Sequence, residues 1–185
     1  MKRMILVVAC ALMLASVAYG QKPVRFLAGV GIGLPTGDLS NGWNLGFHGR
    51  FNVVIESSPG FTIEPNFQFD LFPLDKQGIS GLSGGGVHAL IFGADFRYLF
   101  PSSSPTRFFV VGGAGIAAWG ISDLRYQGDL EVAGDSETKP SFSFGWGIMF
   151  GSSPTMKYFV EMRYSTILSS GSDVTWVPIT FGLKF

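Results

Sequence analysis

The sequence predicts an all-β chain: an eight-stranded antiparallel up-and-down β-barrel that crosses a membrane. Three observations lead there. Segments of about eleven residues, long enough to cross a bilayer when tilted, alternate large apolar side chains with small or polar ones. Eight such segments follow one another, separated by stretches rich in Gly, Ser and Pro. The apolar row is bulky throughout, with 18 Phe in a chain of 185 residues. Eight strands leave room inside for a single filling of side chains, so this row fits outside against lipid, with the small and polar row inward.

The chain opens on a different pattern. Lys2 and Arg3 precede an apolar run, Met4–Ala18, closed by Ala18-Tyr19-Gly20. A basic start, a short apolar stretch and small residues before the cut make a secretory signal peptide over residues 1–20. Cleavage after Gly20 removes Cys10, the only cysteine, which leaves neither a disulfide nor a thiolate metal site. It also removes Lys2 and Arg3, so 11 basic residues face 13 acidic ones. That balance gives no reason to expect nucleic acid. No metal, cofactor or catalytic constellation is expected, and residues 21–185 make one barrel domain.

The first strand, Val24–Leu34, sets Val24, Phe26, Ala28, Val30, Ile32 and Leu34 against Arg25, Gly29, Gly31 and Gly33, with Leu27 the exception. Its Gly-x-Gly-x-Gly lacks the following helix that a nucleotide-binding loop needs. The glycines therefore read as the inner face of a narrow barrel. After the turn Pro35–Asn41, the second strand, Trp43–Val53, turns Trp43, Leu45, Phe47, Phe51 and Val53 outward and Asn44, His48, Arg50 and Asn52 inward. The third, Phe61–Leu71, alternates most clearly, with Thr62, Glu64, Asn66, Gln68 and Asp70 on its inner row. Pro65 interrupts its apolar row, where an edge-like site or a bulge is expected, with the ladder locally broken.

A loop, Phe72–Gly86, leads to the fourth strand, Val87–Leu99, with Asp95 and Arg97 inward. The fifth, Arg107–Trp119, is apolar on both sides; Phe108, Val110, Ala114 and Ile116 are placed outward by continuity with an inward Arg107. The longest connection, Gly120–Pro140, carries five acids against Arg125 and Lys139 and has room for a short hairpin around Leu124–Val132. The sixth strand is Ser141–Phe150. The seventh, Met156–Ile167, sets Lys157, Glu161 and Arg163 inward. The eighth, Thr175–Phe185, gives its odd-numbered residues to lipid and Trp176, Pro178, Thr180, Gly182 and Lys184 to the interior. Pro178 removes a ladder donor, so a bulge or a bond-free gap is expected there.

An even strand count puts both termini on one rim, with the short turns Glu56–Gly60, Phe100–Thr106 and Gly151–Thr155. Longer connections occupy the other. Short periplasmic turns and longer external loops are what a bacterial outer-membrane barrel has. Trp43, Tyr98, Trp119, Trp146, Tyr158, Tyr164 and Trp176 are candidates for its aromatic girdles. The inward ionisable set is Arg25, His48, Arg50, Glu64, Asp70, Asp95, Arg97, Arg107, Glu161, Arg163 and Lys184. Mixed signs there form a polar network that plugs the lumen. His48 beside Glu64 would make an acid–base pair, but no nucleophile of recognisable spacing accompanies it.

The signal peptide, the eight alternating strands and the terminal aromatic Phe185 together resemble the small bacterial outer-membrane β-barrels of the OmpA-like and OmpX-like kind, over Gln21–Phe185. The resemblance implies an integral protein of the cell outer membrane, monomeric and surrounded by outer-membrane lipid. It also implies that Phe181, Leu183 and Phe185 are the signal read by the barrel-assembly machinery. Functions in that family diverge, so fold alone does not assign one. A structural or surface-interaction role, non-enzymatic, with the exposed loops meeting an unidentified surface ligand, is the leading expectation. A narrow channel for small solutes or ions, and an outer-membrane lipid-modifying enzyme, are the alternatives.

Overall fold

The computed structural model of the protein describes residues 24–76, 81–151, 153, 155–169 and 173–185. The expected signal peptide lies outside the described residues. In chain order the strands are β1 (Arg25–Thr36), β2 (Gly46–Ser58), β3 (Phe61–Phe72), β4 (Leu82–Gly84), β5 (Val87–Leu99), β6 (Arg107–Ile121), β7 (Leu124–Tyr126), β8 (Asp129–Val132), β9 (Asp135–Phe150), β10 (Lys157–Ile167) and β11 (Val174–Lys184). Eight of them close into one antiparallel barrel in the order β1-β11-β10-β9-β6-β5-β3-β2. The seam runs in unbroken register from Leu27 opposite Lys184 to Thr36 opposite Thr175. It ends on a reciprocal pair of backbone bonds between Phe26 and Phe185, at 2.8 and 2.9 Å. Closure leaves no unpaired edge, the condition for strands to stand in hydrocarbon.

The large side chains of the even row of β1, the odd row of β2 and their equivalents face outward. Val30, Phe92, Ile116 and Phe144 are each more than half exposed. At the rim that holds the termini, rings touch from strand to strand: Phe51–Phe26–Phe185, Tyr98–Phe100–Phe108–Trp146 and Phe150–Tyr158–Phe181. This belt is the periplasmic girdle. Trp176 is no part of a girdle: it is 1% exposed and sits inside, as the parity of its row requires.

The interior departs from the expected polar filling. Only its middle is polar; each end is sealed by apolar side chains from the inward row. Leu27, Val54, Leu99, Phe109, Val111, Met149 and Phe159 close the periplasmic end. Leu39, Phe72, Val87, Ala89, Ile91, Ala117, Ile167, Val174 and Trp176 close the outer end. Leu39 reaches there because the chain after β1 folds inward as a short 3-10 turn, Gly37–Asn41. The glycines make room for the periplasmic seal. A Cβ on Gly147 would lie 2.5 Å from the Phe109 ring, and one on Gly182 would lie 2.4 Å from Phe159. Each glycine is the cross-strand partner of the ring it accommodates.

Several boundaries move. β2 begins at Gly46 rather than Trp43 and runs to Ser58, so its turn shrinks to Pro59-Gly60. Trp43 leaves the lipid face and donates its indole N–H to the Gly85 carbonyl at 2.9 Å. Pro65 causes no bulge: β3 keeps one register with β2 through it and loses only the pairs at Pro65 and Glu64, while the register shift lies at Glu56/Ser58 beside the turn. Pro178 behaves alike, with unbroken register to β1 and a gap toward β10. A missing N–H removes a ladder bond, but a slip by one residue would turn every charge toward lipid. β6 and β9 run on together past the barrel, with 15 and 16 residues against 11 each in β10 and β11. Beyond them β7 and β8 form the hairpin, and β4 joins it as a three-stranded sheet.

Candidate functional site

Mid-barrel, β2, β3, β5 and β10 bring three arginines and three carboxylates together. Alternation along a strand puts residues two apart on one face, so Asp95 and Arg97, and Glu161 and Arg163, enter as ready-made pairs. Glu161 lies at the centre and meets Arg50, Arg97 and Arg163. Asp95 takes the Arg163 guanidinium at 2.9 and 3.0 Å and a contact from Arg50. Glu64 receives Arg97 at 2.9 and 3.1 Å, Thr62 Oγ1 at 2.8 Å and Asn52 Nδ2 at 2.9 Å. Arg97 Nη1 lies 2.9 Å from Glu161 Oε2 as a charge contact without hydrogen-bond alignment. The Arg97 guanidinium also stands 4.2 Å over the Phe109 ring, which floors the cluster.

All six are 5% exposed or less. Three cations against three anions make the cluster neutral, the arrangement that a water-poor interior requires. The bonds and charge contacts among these groups hold the side chains in place, so the cluster acts as a bolt across the lumen and offers no exposed acid or base.

The other inward groups stand apart from it. His48 meets Asp70, not Glu64: the two are cross-strand partners, with Nδ1 and Oδ1 at 2.8 Å. Asp70 also accepts Trp176 Nε1–H at 3.0 Å and Gln68 Nε2–H at 2.8 Å. His48 is 1% exposed and held below the outer apolar seal. His88 pairs in register with Leu71 and Gly120, and no hydrogen bond joins it to a serine or carboxylate among the described residues.

Arg25, Arg107 and Lys184 belong neither to the cluster nor to the His48 group. They line the periplasmic mouth, a cavity of about 250 Å³ that also takes Glu56 and Lys157. Lys184 Nζ binds Glu56 at 3.3 Å, and Lys157 Nζ donates to the Gly151 carbonyl. Asn52, Thr62, Gln68 and Trp176, none of them a member of the inward ionisable set, complete these sites. All four lie on the inward rows, and parity was the signal for them. That Phe109 of β6 would pack on Arg97 had no signal, because β6 is apolar on both faces; Phe159 of β10, also near Arg97, shares the inward row of Glu161 and Arg163.

Outside, the extracellular sheet is held by local bonds. Asp123 accepts the Gly134 N–H at 2.9 Å and the Arg125 guanidinium at 3.2 Å. These partners hold its carboxyl below the ordinary value of 3.8. Glu137 binds Lys139 at 3.0 Å and Ser169 Oγ at 2.7 Å, tying β9 to the connection before β11.

The backbone is similar to solved outer-membrane barrels. Neisserial surface protein A has 14% identity and a TM-score of 0.65, over 87% of this chain and 95% of its own. A major outer membrane protein from Thermus thermophilus has 13% identity and a TM-score of 0.58, over 89% and 99%. The N-terminal β-barrel domain of Pseudomonas aeruginosa OprF has 12% identity and a TM-score of 0.50, over 88% and 96%. At such identities the likeness shows the fold alone. No curated protein sequence matches this chain. The model of the outer membrane protein beta-barrel domain matches residues 5–185. The closed eight-stranded cylinder and that match agree: the chain belongs to the outer membrane protein beta-barrel domain family and resides in the cell outer membrane.

Proposed function

We propose that this protein is a sealed, non-enzymatic barrel whose work is done by its extracellular platform, a surface-interaction element held in the membrane by a rigid cylinder. The observation that carries this reading is the outward continuation of β6 and β9. They extend four or five residues past the length of β10 and β11, roughly 15 Å of strand. Instead of ending in a slack loop, they lead to the sheet of β4, β7 and β8. Ordering so much exposed backbone costs about 1–2 kcal/mol per residue in conformational entropy, and a surface that meets a partner gains from having it ordered beforehand. The closed lumen supports the same reading, with an apolar seal at each end and a neutral ion cluster between. We propose further that the protein is a monomer, and that the exposed Phe181 and Phe185 with Leu183 between them are read by the barrel-assembly machinery.

The test compares cells that display the wild-type chain with cells displaying a variant in which residues 123–133 are replaced by a two-residue turn. Both should run as heat-modifiable barrels, and attachment to other cells or to immobilised matrix polymers should fall to background in the variant. Undiminished attachment by the variant would refute the platform role. Reproducible single-channel openings of the wild type in planar bilayers would refute the sealed lumen.

A further inference from the structure

The periplasmic mouth of the barrel is strongly basic, and the surface-interaction role does not use it. Arg25, Arg107, Lys157 and Lys184 enter it from β1, β6, β10 and β11, against Glu56 alone. That is a local charge of +3 in a chain whose total charge is zero. The charges differ in how they are held. Lys184 is 6% exposed and bound to Glu56, and Lys157 is bound to a backbone carbonyl. Arg25 and Arg107 have no hydrogen-bond or ion-pair partner among the described residues, although both line the cavity.

We propose that this mouth is an anion-binding cup for a phosphoryl group. The chemistry of the wall fits that class. Guanidinium forks match phosphate oxygens two at a time, whereas ammonium groups act as point charges. Hydroxyls of Ser58 and Ser104 line the same cavity and supply neutral donors. The cup cannot drain inward, because Leu99 and Met149 belong both to its wall and to the periplasmic seal. An apolar floor beneath converging cations strengthens their field. The volume of about 250 Å³ lies below that of drug-sized pockets, so the occupant is a phosphate, a diphosphate or the phosphoryl end of a larger molecule. A free periplasmic phosphate and a phospholipid headgroup curling over the inner rim share this chemistry.

The full barrel, purified in zwitterionic detergent, is titrated calorimetrically with inorganic pyrophosphate. One saturable site is expected, with affinity falling as salt rises. The R25Q/R107Q variant should bind at least tenfold more weakly, whereas R125Q/K139Q, which removes the same charge from the outer end, should bind as the wild type does. Heat modifiability on gels shows that each variant is folded. Amide shifts in the wild-type barrel on adding pyrophosphate give a reading independent of any variant, and should concentrate at the mouth. Nanodiscs separate the two sources: weaker pyrophosphate binding in phosphatidylglycerol than in phosphatidylcholine assigns the cup to headgroups, and equal binding assigns it to a soluble anion. Absence of saturable binding, equal weakening by both double variants, or shifts spread over the outer loops would overturn the proposal.

Discussion

Replacing Glu161 by Gln tests whether the interior cluster stabilises the barrel as a unit. The substitution keeps the size of the side chain and one carbonyl acceptor but removes a charge that faces Arg50, Arg97 and Arg163 at once. Two carboxylates, Glu64 and Asp95, then face three guanidiniums in a site from which all six groups are hidden. Breaking a buried pair by removing one partner costs about 3–5 kcal/mol, and Glu161 is the carboxylate with the most arginine partners here. With a urea slope of about 2 kcal/mol per molar, the midpoint should fall by about 2 M. Restoring neutrality should recover much of this. In E161Q/R97M the surplus positive charge is gone and a flexible apolar chain lies on the Phe109 ring instead. The double variant should therefore cost about 2 kcal/mol less than the sum of its two singles. Equilibrium unfolding of all four proteins in urea, in lipid vesicles, supplies the cycle. A single variant within about 0.5 kcal/mol of wild type, or a double variant that costs the plain sum, would refute the unit.

Three further outcomes follow from other parts of the molecule. Gly147→Ala places a methyl group 2.5 Å from the Phe109 ring and 2.3 Å from the Val160 carbonyl. It should cost about 1–3 kcal/mol as an overpacked interior does, read as a lower urea midpoint; an unchanged midpoint would remove the glycine's packing role. In variants that keep one tryptophan each, brominated lipid should quench Trp146, 47% exposed, and leave Trp176, 1% exposed, bright; equal quenching would contradict the assigned faces. Asp123 is held below its ordinary pKa by Gly134 and Arg125, so its bonds contribute above the unfolded value and are lost as pH falls through the lower folded one. The Gly134 amide should report a titration midpoint below 3.8 in NMR, and a midpoint at or above that value would show that the bond does not persist in solution.

Alternation made the fold readable, since a barrel in lipid turns a period of two into an inside and an outside. It placed Phe108 and Ile116 outward even in β6, where both faces are apolar. The same rule placed Arg50, Glu64, Asp95, Arg97, Glu161 and Arg163 inward, but parity gives no height along the axis. Height depends on register between strands that are neighbours only after closure, and this decides that His48 meets Asp70 rather than Glu64. It also separates Arg25, Arg107 and Lys184 at the mouth from the central cluster. The apolar seals escaped for a related reason. Leu27, Val54 and Phe159 look like isolated exceptions in their own strands, and only the closed cylinder gathers them into one layer. Strand ends were least legible where β6 and β9 leave the membrane, because nothing in hydrocarbon then constrains their alternation.

The distribution of the six central charges has a consequence for how such a sheet is built. Arg50, Glu64, Asp95 and Arg97 arrive on β2, β3 and β5, which are consecutive in the barrel, and they sum to zero. Glu161 and Arg163 arrive on β10 alone and also sum to zero. An unfinished ribbon of either part therefore carries no net charge at mid-depth, where a lone ion is most costly. Closing the cylinder adds partners to those already held: Arg50 and Arg97 reach Glu161, and Arg163 reaches Asp95, across the lumen. The last step keeps the contacts within each part and adds contacts between the two, and the curled sheet becomes locked as it completes.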